Sequence, residues 1–141
     1  MRIQPFRAWR PRSDLASQIA AVPYDVVDTQ EAAALAAGNA VSFLHVSRAE
    51  IDLPVGTDPH SDETYRKAAA TLKRFQADRI LLQEPAPRFF VYRLVMDGRA
   101  QCGIVAGCAV DDYLAGTIRT HEKTRQDKED DRTRHINLLN A

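Results

Sequence analysis

The sequence predicts an α+β fold: a mixed or antiparallel sheet with a central hairpin and two or three packed helices. Three observations carry that expectation. Two β-rich runs, RFFVYRLVM and RAQCGIVAGCAV, flank Asp97-Gly98, a dipeptide suited to the positive φ angles of a two-residue hairpin turn. Residues 62–77 place Tyr65, Ala68, Ala69, Leu72 and Phe75 on one stripe at helical spacing. Asp28 followed by Glu31 reads as a capping box at the head of an alanine- and leucine-rich run.

Taken in order, the chain first offers a turn at Pro23-Tyr24-Asp25 between valine-rich pieces, with Tyr24 and Asp25 as residues for a cleft rim or simply an Asx-type turn. The capped helix runs over 29–37 and Gly38-Asn39 stops it. AVSFLHVSR reads as a strand, with Val41, Phe43 and His45 on one face and Ser42, Leu44 and Val46 on the other. IDLPVGTDPH is a loop, and Ser61 caps the helix that follows it. The hairpin over 88–110 is expected to be central, with the helices at 29–37 and 62–77 packed on it. Gly103, Ala106, Gly107, Cys108 and Ala109 leave its second strand open to close packing, by a helix on this reading. GIVAGCA has neither the ending of a P-loop nor the spacing of a dinucleotide fingerprint. A last helix is expected over 127–140. It carries Ile136, Leu138 and Leu139 without completing an apolar stripe, so residues 1–141 are expected to form a single α+β domain, the N-terminal fragment of a longer protein.

Charge is balanced, with 19 basic and 19 acidic residues among 141, so no global field draws the chain to nucleic acid or membrane. A local exception is MRIQPFRAWRPR, which has four arginines and no acid. No run approaches the ~18 apolar residues of a membrane span, and the N-terminus lacks a signal peptide's apolar region. Cys102 and Cys108 on one extended strand would lie roughly 20 Å apart, too far to bridge. The expected setting is soluble, reducing and cytoplasmic.

The densest charge lies between Arg119 and His135, with six Lys or Arg, five Asp or Glu and two His. On a helix Lys128, Asp131, Arg132 and His135 share one face at i, i+3, i+4 and i+7. Lys128 and Arg132 are like charges at i, i+4, which costs a few tenths of a kcal/mol unless an anion sits between them; Asp131 or a ligand phosphate would serve. Three readings stand side by side. The segment is a solvated, salt-bridged helix. It is a phosphate-handling site, with Lys128 and Arg132 as anion ligands and Glu122 or Glu129 as base or metal ligand. Or it binds a cation through Asp127, Asp131 and His135, although HEKTR is not the HExxH of a zinc protease. His45 is expected to be a satisfied core or edge residue, and His60 lies in a polar loop.

Pro5-Phe6-Arg7, Pro23-Tyr24-Asp25-Val26-Val27, Ser42-Phe43-Leu44-His45-Val46 and Asp112-Tyr113 recur in a familiar order. So does an HE-x-T-xxx-KE-x-DR pattern formed by His121, Glu122, Thr124, Lys128, Glu129, Asp131 and Arg132. Over essentially its whole length the chain resembles the prokaryotic family called domain of unknown function one-thousand-and-fifteen. The resemblance places an Asp-Gly-His-His-Arg motif beyond this chain, like that of ParB-like and free-serine-kinase proteins. It therefore implies a nucleotide-dependent phosphotransferase or hydrolase, with the remaining C-terminal part of the protein as a partner.

Combined with the charged face, this defines the expected site. His121, Glu122 and Glu129 are the catalytic candidates. Lys128, Arg132, Thr124 and Asp131 are the phosphate or nucleotide ligands, and Tyr24 and Asp25 form the rim. Mg²⁺ with ATP or ADP are the implied cofactors, and no dedicated metal-ligand set is expected. A small-molecule or nucleotide ligand is the leading partner. The rival is a ParB-like nucleic-acid-binding module supported by the arginine-rich arm with Phe6 and Trp9, and the third reading is a structural or interaction domain without catalysis.

Overall fold

The computed structural model describes residues 1–119 and 123–139. In chain order the described elements are β1 (Ile3–Gln4), β2 (Trp9–Pro11), α1 (Ala16–Ile19), α2 (Thr29–Ala36), α3 (Leu44–Ser47), a 3₁₀ turn (Ala49–Asp52), α4 (Asp62–Ala77), β3 (Leu81–Gln83), β4 (Phe90–Met96), β5 (Arg99–Val105), β6 (Gly107–Cys108), α5 (Val110–Leu114) and α6 (Gln126–Leu139). Helices together with antiparallel strand pairs make this an α+β fold, as the sequence predicts. The chain divides into two compact units, one of Met1–Arg10 with Gln83–Lys123 and one of Pro11–Leu82 with Thr124–Ala141.

The first unit is built on the β4–β5 hairpin. Its register runs from Phe90 opposite Val105 to Met96 opposite Arg99. Asp97 at φ 51° and Gly98 at φ 76° close it, both in the left-handed region that this turn demands. β1 pairs antiparallel with β6, and Phe6 exchanges backbone hydrogen bonds with Arg88 at 3.1 and 3.0 Å. Phe6 also meets Phe90 edge-on, with ring centroids 5.3 Å apart.

One expectation about the hairpin is corrected. A Cβ at Gly103 would have nothing within 4 Å among the described residues, so none of the described helices packs on it; the close approach falls at Gly107, whose added Cβ would stand 3.3 Å from Gln4 Cγ of β1. The hairpin itself is a two-stranded sheet, exposed on both faces from Val91 onward. The physical reason is that β-branched and aromatic residues form a pleated ribbon through cross-strand pairing, whether or not a face is buried.

In the second unit the helices pack on one another. α2 begins as its capping box dictates: the Asp28 side chain accepts the Glu31 N–H at 2.8 Å, and the Glu31 carboxylate accepts the Asp28 N–H at 2.9 Å. Asp28→Ala is expected to lower stability by about 1 kcal/mol, read as a shift in the urea midpoint at unchanged slope; a change below a few tenths would show that the cap is idle. Ser61 starts α4 by accepting the Thr64 N–H. The predicted stripe of α4 is in place, with Tyr65, Ala68, Leu72 and Phe75 buried. Phe75 and Leu72 pack with Ile19, Val46, Ile80 and Leu81, and Leu15, Val41, Phe43 and Leu139 close the edges of this core. Ala32 and Ala36 of α2 form a second cluster with Leu44.

The segment over 41–46 is not a strand. Its residues enter α3, with the Ser42 hydroxyl accepting the Leu44 N–H at 3.3 Å. The reason is that it is buried on both sides: Leu44 joins the α2 cluster and Val46 the main core. A short run that is apolar all round carries no period that separates strand from helix. His45 is satisfied as expected, with Nδ1 2.9 Å from an Asp52 carboxylate oxygen and Nε2 3.1 Å from the Asn39 carbonyl.

Candidate functional site

The face predicted on the last helix exists and has a partner. Along α6, Lys128, Asp131, Arg132 and His135 are half-buried while Glu129, Asp130, Thr133 and Arg134 are exposed. The half-buried face lies against α4. At its centre is Asp131, whose side chain is only 8% exposed. One carboxylate oxygen accepts the Tyr65 hydroxyl and lies 2.6 Å from His60 Nδ1. The other accepts Arg132 through Nε at 2.8 Å and through Nη2.

Burial by itself would raise the Asp131 pKa. Hydrogen bonds from Tyr65, Arg132 and His60, with the Arg132 charge, outweigh it and bring the value down to about 2. Burial, then the hydrogen bond to Asp131 and its charge, push the Tyr65 hydroxyl well above its ordinary value. Burial lowers the His135 pKa and the Arg132 charge adds to that, against the opposing pull of Asp131 and of a hydrogen bond with the Val46 backbone.

A second cluster sits beside the first. The Arg132 guanidinium lies over the Tyr24 ring at 4.0 Å, a cation–π contact. Tyr24 occupies the turn closed by Val26 N–H to the Pro23 carbonyl at 3.3 Å, and Arg48 Nη1 donates to the Tyr24 carbonyl at 3.2 Å. Arg48 Nη2 donates to the Thr29 hydroxyl at 3.1 Å, and that hydroxyl donates to Glu50 at 3.2 Å. The Glu50 side chain is 2% exposed, and Arg48 Nε lies 2.8 Å from it. That contact is an ion pair by distance but is not aligned as a hydrogen bond, so Arg48 Nε is buried without a hydrogen-bond partner among the described residues.

These residues enclose two spaces. Tyr24, Arg48, Glu50, Tyr65, Arg132 and His135 surround a cavity of about 20 Å³, room for roughly one water molecule. A groove of about 310 Å³ is lined by His60, Tyr65, Asp127, Lys128, Asp130, Asp131 and Arg134. That volume is at the lower end of small-molecule sites.

Of the residues expected at the site, the fold brings Tyr24, Asp131 and Arg132 together and places Lys128 in the groove. Asp25, Thr124 and Glu129 are exposed and line neither space. His121 and Glu122 lie outside the described residues, as does Asn140 of the expected last helix. Asp127, Asp131 and His135 do not converge: among the described residues no group of three His, Cys, Asp or Glu could hold a metal ion. The groove carboxylates are already engaged, Asp127 by Arg125 and Asp130 by Gln126.

Sequence reasoning missed His60, Arg48 and Glu50. His60 had no signal beyond its place before Ser61, since its partner stands 71 residues away. Arg48 and Glu50 form an i, i+2 pair, a spacing with no meaning on a helix surface. Tyr65 reads as a core residue and is buried there, but its hydroxyl also joins the polar network, as a buried phenol must.

Comparison with the curated proteins and with the solved structures finds no match. A family model does match, over residues 3–141, nearly the whole chain. The chain belongs to the family described as protein of unknown function (DUF1015).

Proposed function

We propose that the α4–α6 groove binds a small phosphate-bearing molecule of the nucleotide class, as part of a small-molecule phosphotransferase. The observation that supports this reading is Lys128. It is half-buried in the groove and has no acidic partner among the described residues, whereas its neighbours Asp127, Asp131 and Arg134 are paired. A partly desolvated ammonium favours an opposite charge beside it, and a phosphate offers several acceptor oxygens. Arg132 has a different role on this reading. Two of its nitrogens hold Asp131 and its face covers Tyr24, so it organises the site.

The nucleic-acid reading gains nothing comparable. In the first unit Arg2 pairs with Asp112 at 3.0 Å, Arg10 pairs with Glu84 at 2.8 Å, and Arg7 donates to the Glu84 carbonyl at 2.8 Å. In the second unit Arg12 pairs with Asp14 at 2.7 Å. Guanidinium groups engaged in this way have less to offer a phosphate backbone.

The test is calorimetric titration of the chain with inorganic phosphate, ADP and ATP, each with and without Mg²⁺. Saturable binding at one site, weakened at least tenfold in Lys128→Gln and unchanged in Glu129→Gln, is the expected result. No binding, or equal binding by Lys128→Gln, overturns the proposal.

A further inference from the structure

We propose that His60 is a proton-accepting residue of the groove, presenting an unprotonated Nε2 to an O–H group of the bound ligand, with Asp131 as its positioning residue. This rests on the reading of the groove as a ligand site and adds what the ligand must carry: a hydroxyl or P–O–H donor next to its phosphate.

The argument is one of hydrogen-bond polarity. The oxygen of Asp131 that faces His60 Nδ1 at 2.6 Å also accepts the Tyr65 hydroxyl, and the second oxygen accepts Arg132. A carboxylate surrounded by three donors is ionised and can only accept. Nδ1 must therefore carry the proton. In the neutral imidazole that leaves Nε2 with a bare lone pair, because which nitrogen is protonated is decided by the bond the other makes. Among the described residues nothing hydrogen-bonds Nε2, and the imidazole is 57% exposed at the groove while the carboxylate behind it is 8% exposed.

The backbone of His60 is fixed as well. Its N–H donates to Asp58 Oδ1 at 2.9 Å, and its carbonyl accepts Arg134 Nη1 at 3.3 Å. The Thr64 hydroxyl donates to the Asp58 carbonyl at 2.8 Å, tying the loop to the first turn of α4. A buried carboxylate behind an exposed imidazole on a fixed backbone is the arrangement that sets a histidine to take a proton. Lys128 in the same groove would hold the anionic part of the ligand while Nε2 faces its O–H.

The experiment is ¹⁵N NMR of the histidine side chains in the whole chain, with inorganic phosphate and ADP as probes. In wild type, neutral His60 is expected as the Nδ1–H tautomer, with Nε2 shifting on addition of probe. His60→Asn keeps a donor where Nδ1 stands and should stay folded, but it has nothing in place of Nε2, so probe binding should weaken about tenfold. A neutral His60 with the proton on Nε2, or undiminished binding by folded His60→Asn, overturns the role and leaves the groove reading standing. No binding of either probe to wild type overturns both.

Discussion

Phe75→Ala is expected to cost about 3–5 kcal/mol of unfolding free energy, the range for removing a fully buried phenyl ring. Phe75 is 0% exposed and lies among Ile19, Val46, Leu72, Ile80 and Leu81. Those neighbours come from α1, α3, α4 and the segment entering β3, so no single element can shift to fill the gap. Most of the cost is then the lost transfer energy and the cavity left behind. Urea unfolding followed by circular dichroism measures it, with Val55→Ala as the control because Val55 is fully exposed. A loss below about 1.5 kcal/mol for Phe75→Ala would mean that this core is open or rearranges freely.

Asp131→Asn should cost about 2–3 kcal/mol at pH 7. Breaking a buried ion pair costs more than this when both partners are dry, but Arg132 is 30% and His60 57% exposed, so solvent takes part of the load. The same substitution changes the pH profile. The folded Asp131 pKa is depressed to about 2 from 3.8. A depressed carboxyl pKa stabilises the fold fully above the unfolded value of about 3.9, and that contribution disappears as pH falls toward the folded value. Its size is on the order of 1–2 kcal/mol after allowance for screening. His135 acts with the same sign at higher pH: its lowered pKa means that stability begins to fall once pH drops below about 6.5, the ordinary histidine value. Wild type should therefore lose stability in two stages, and Asp131→Asn should lose less than wild type below pH 4, where Asp14, Asp112 and Asp127, also held below the usual carboxylate range, still titrate. A variant profile parallel to wild type between pH 4 and 2 would refute the assignment of that stage to Asp131.

How much of this was legible beforehand follows the range of each signal. The Asp28–Glu31 box, the Ser61 cap, the 62–77 stripe and the Asp97-Gly98 turn are each written within a few residues, and each formed as read. The shared face of Lys128, Asp131, Arg132 and His135 was also legible, because helical period alone places it. The 41–46 segment reads as a strand yet enters α3, because burial on all sides erases periodicity. The small residues around Gly103 suggest a covering helix, but composition does not say whether a small residue is packed against or merely exposed.

By itself the sequence determined the α+β class, the family and the helix face on which Asp131 stands. Only the tertiary structure decided what that face does. It brings His60 and Tyr65 to one Asp131 oxygen from 71 and 66 residues away, leaves Glu129 in solvent, and sets Arg132 on Tyr24. The reason is that caps and turns are satisfied by neighbours along the chain. A buried carboxylate must instead find its donors wherever packing delivers them, and no local pattern of residues records where that is.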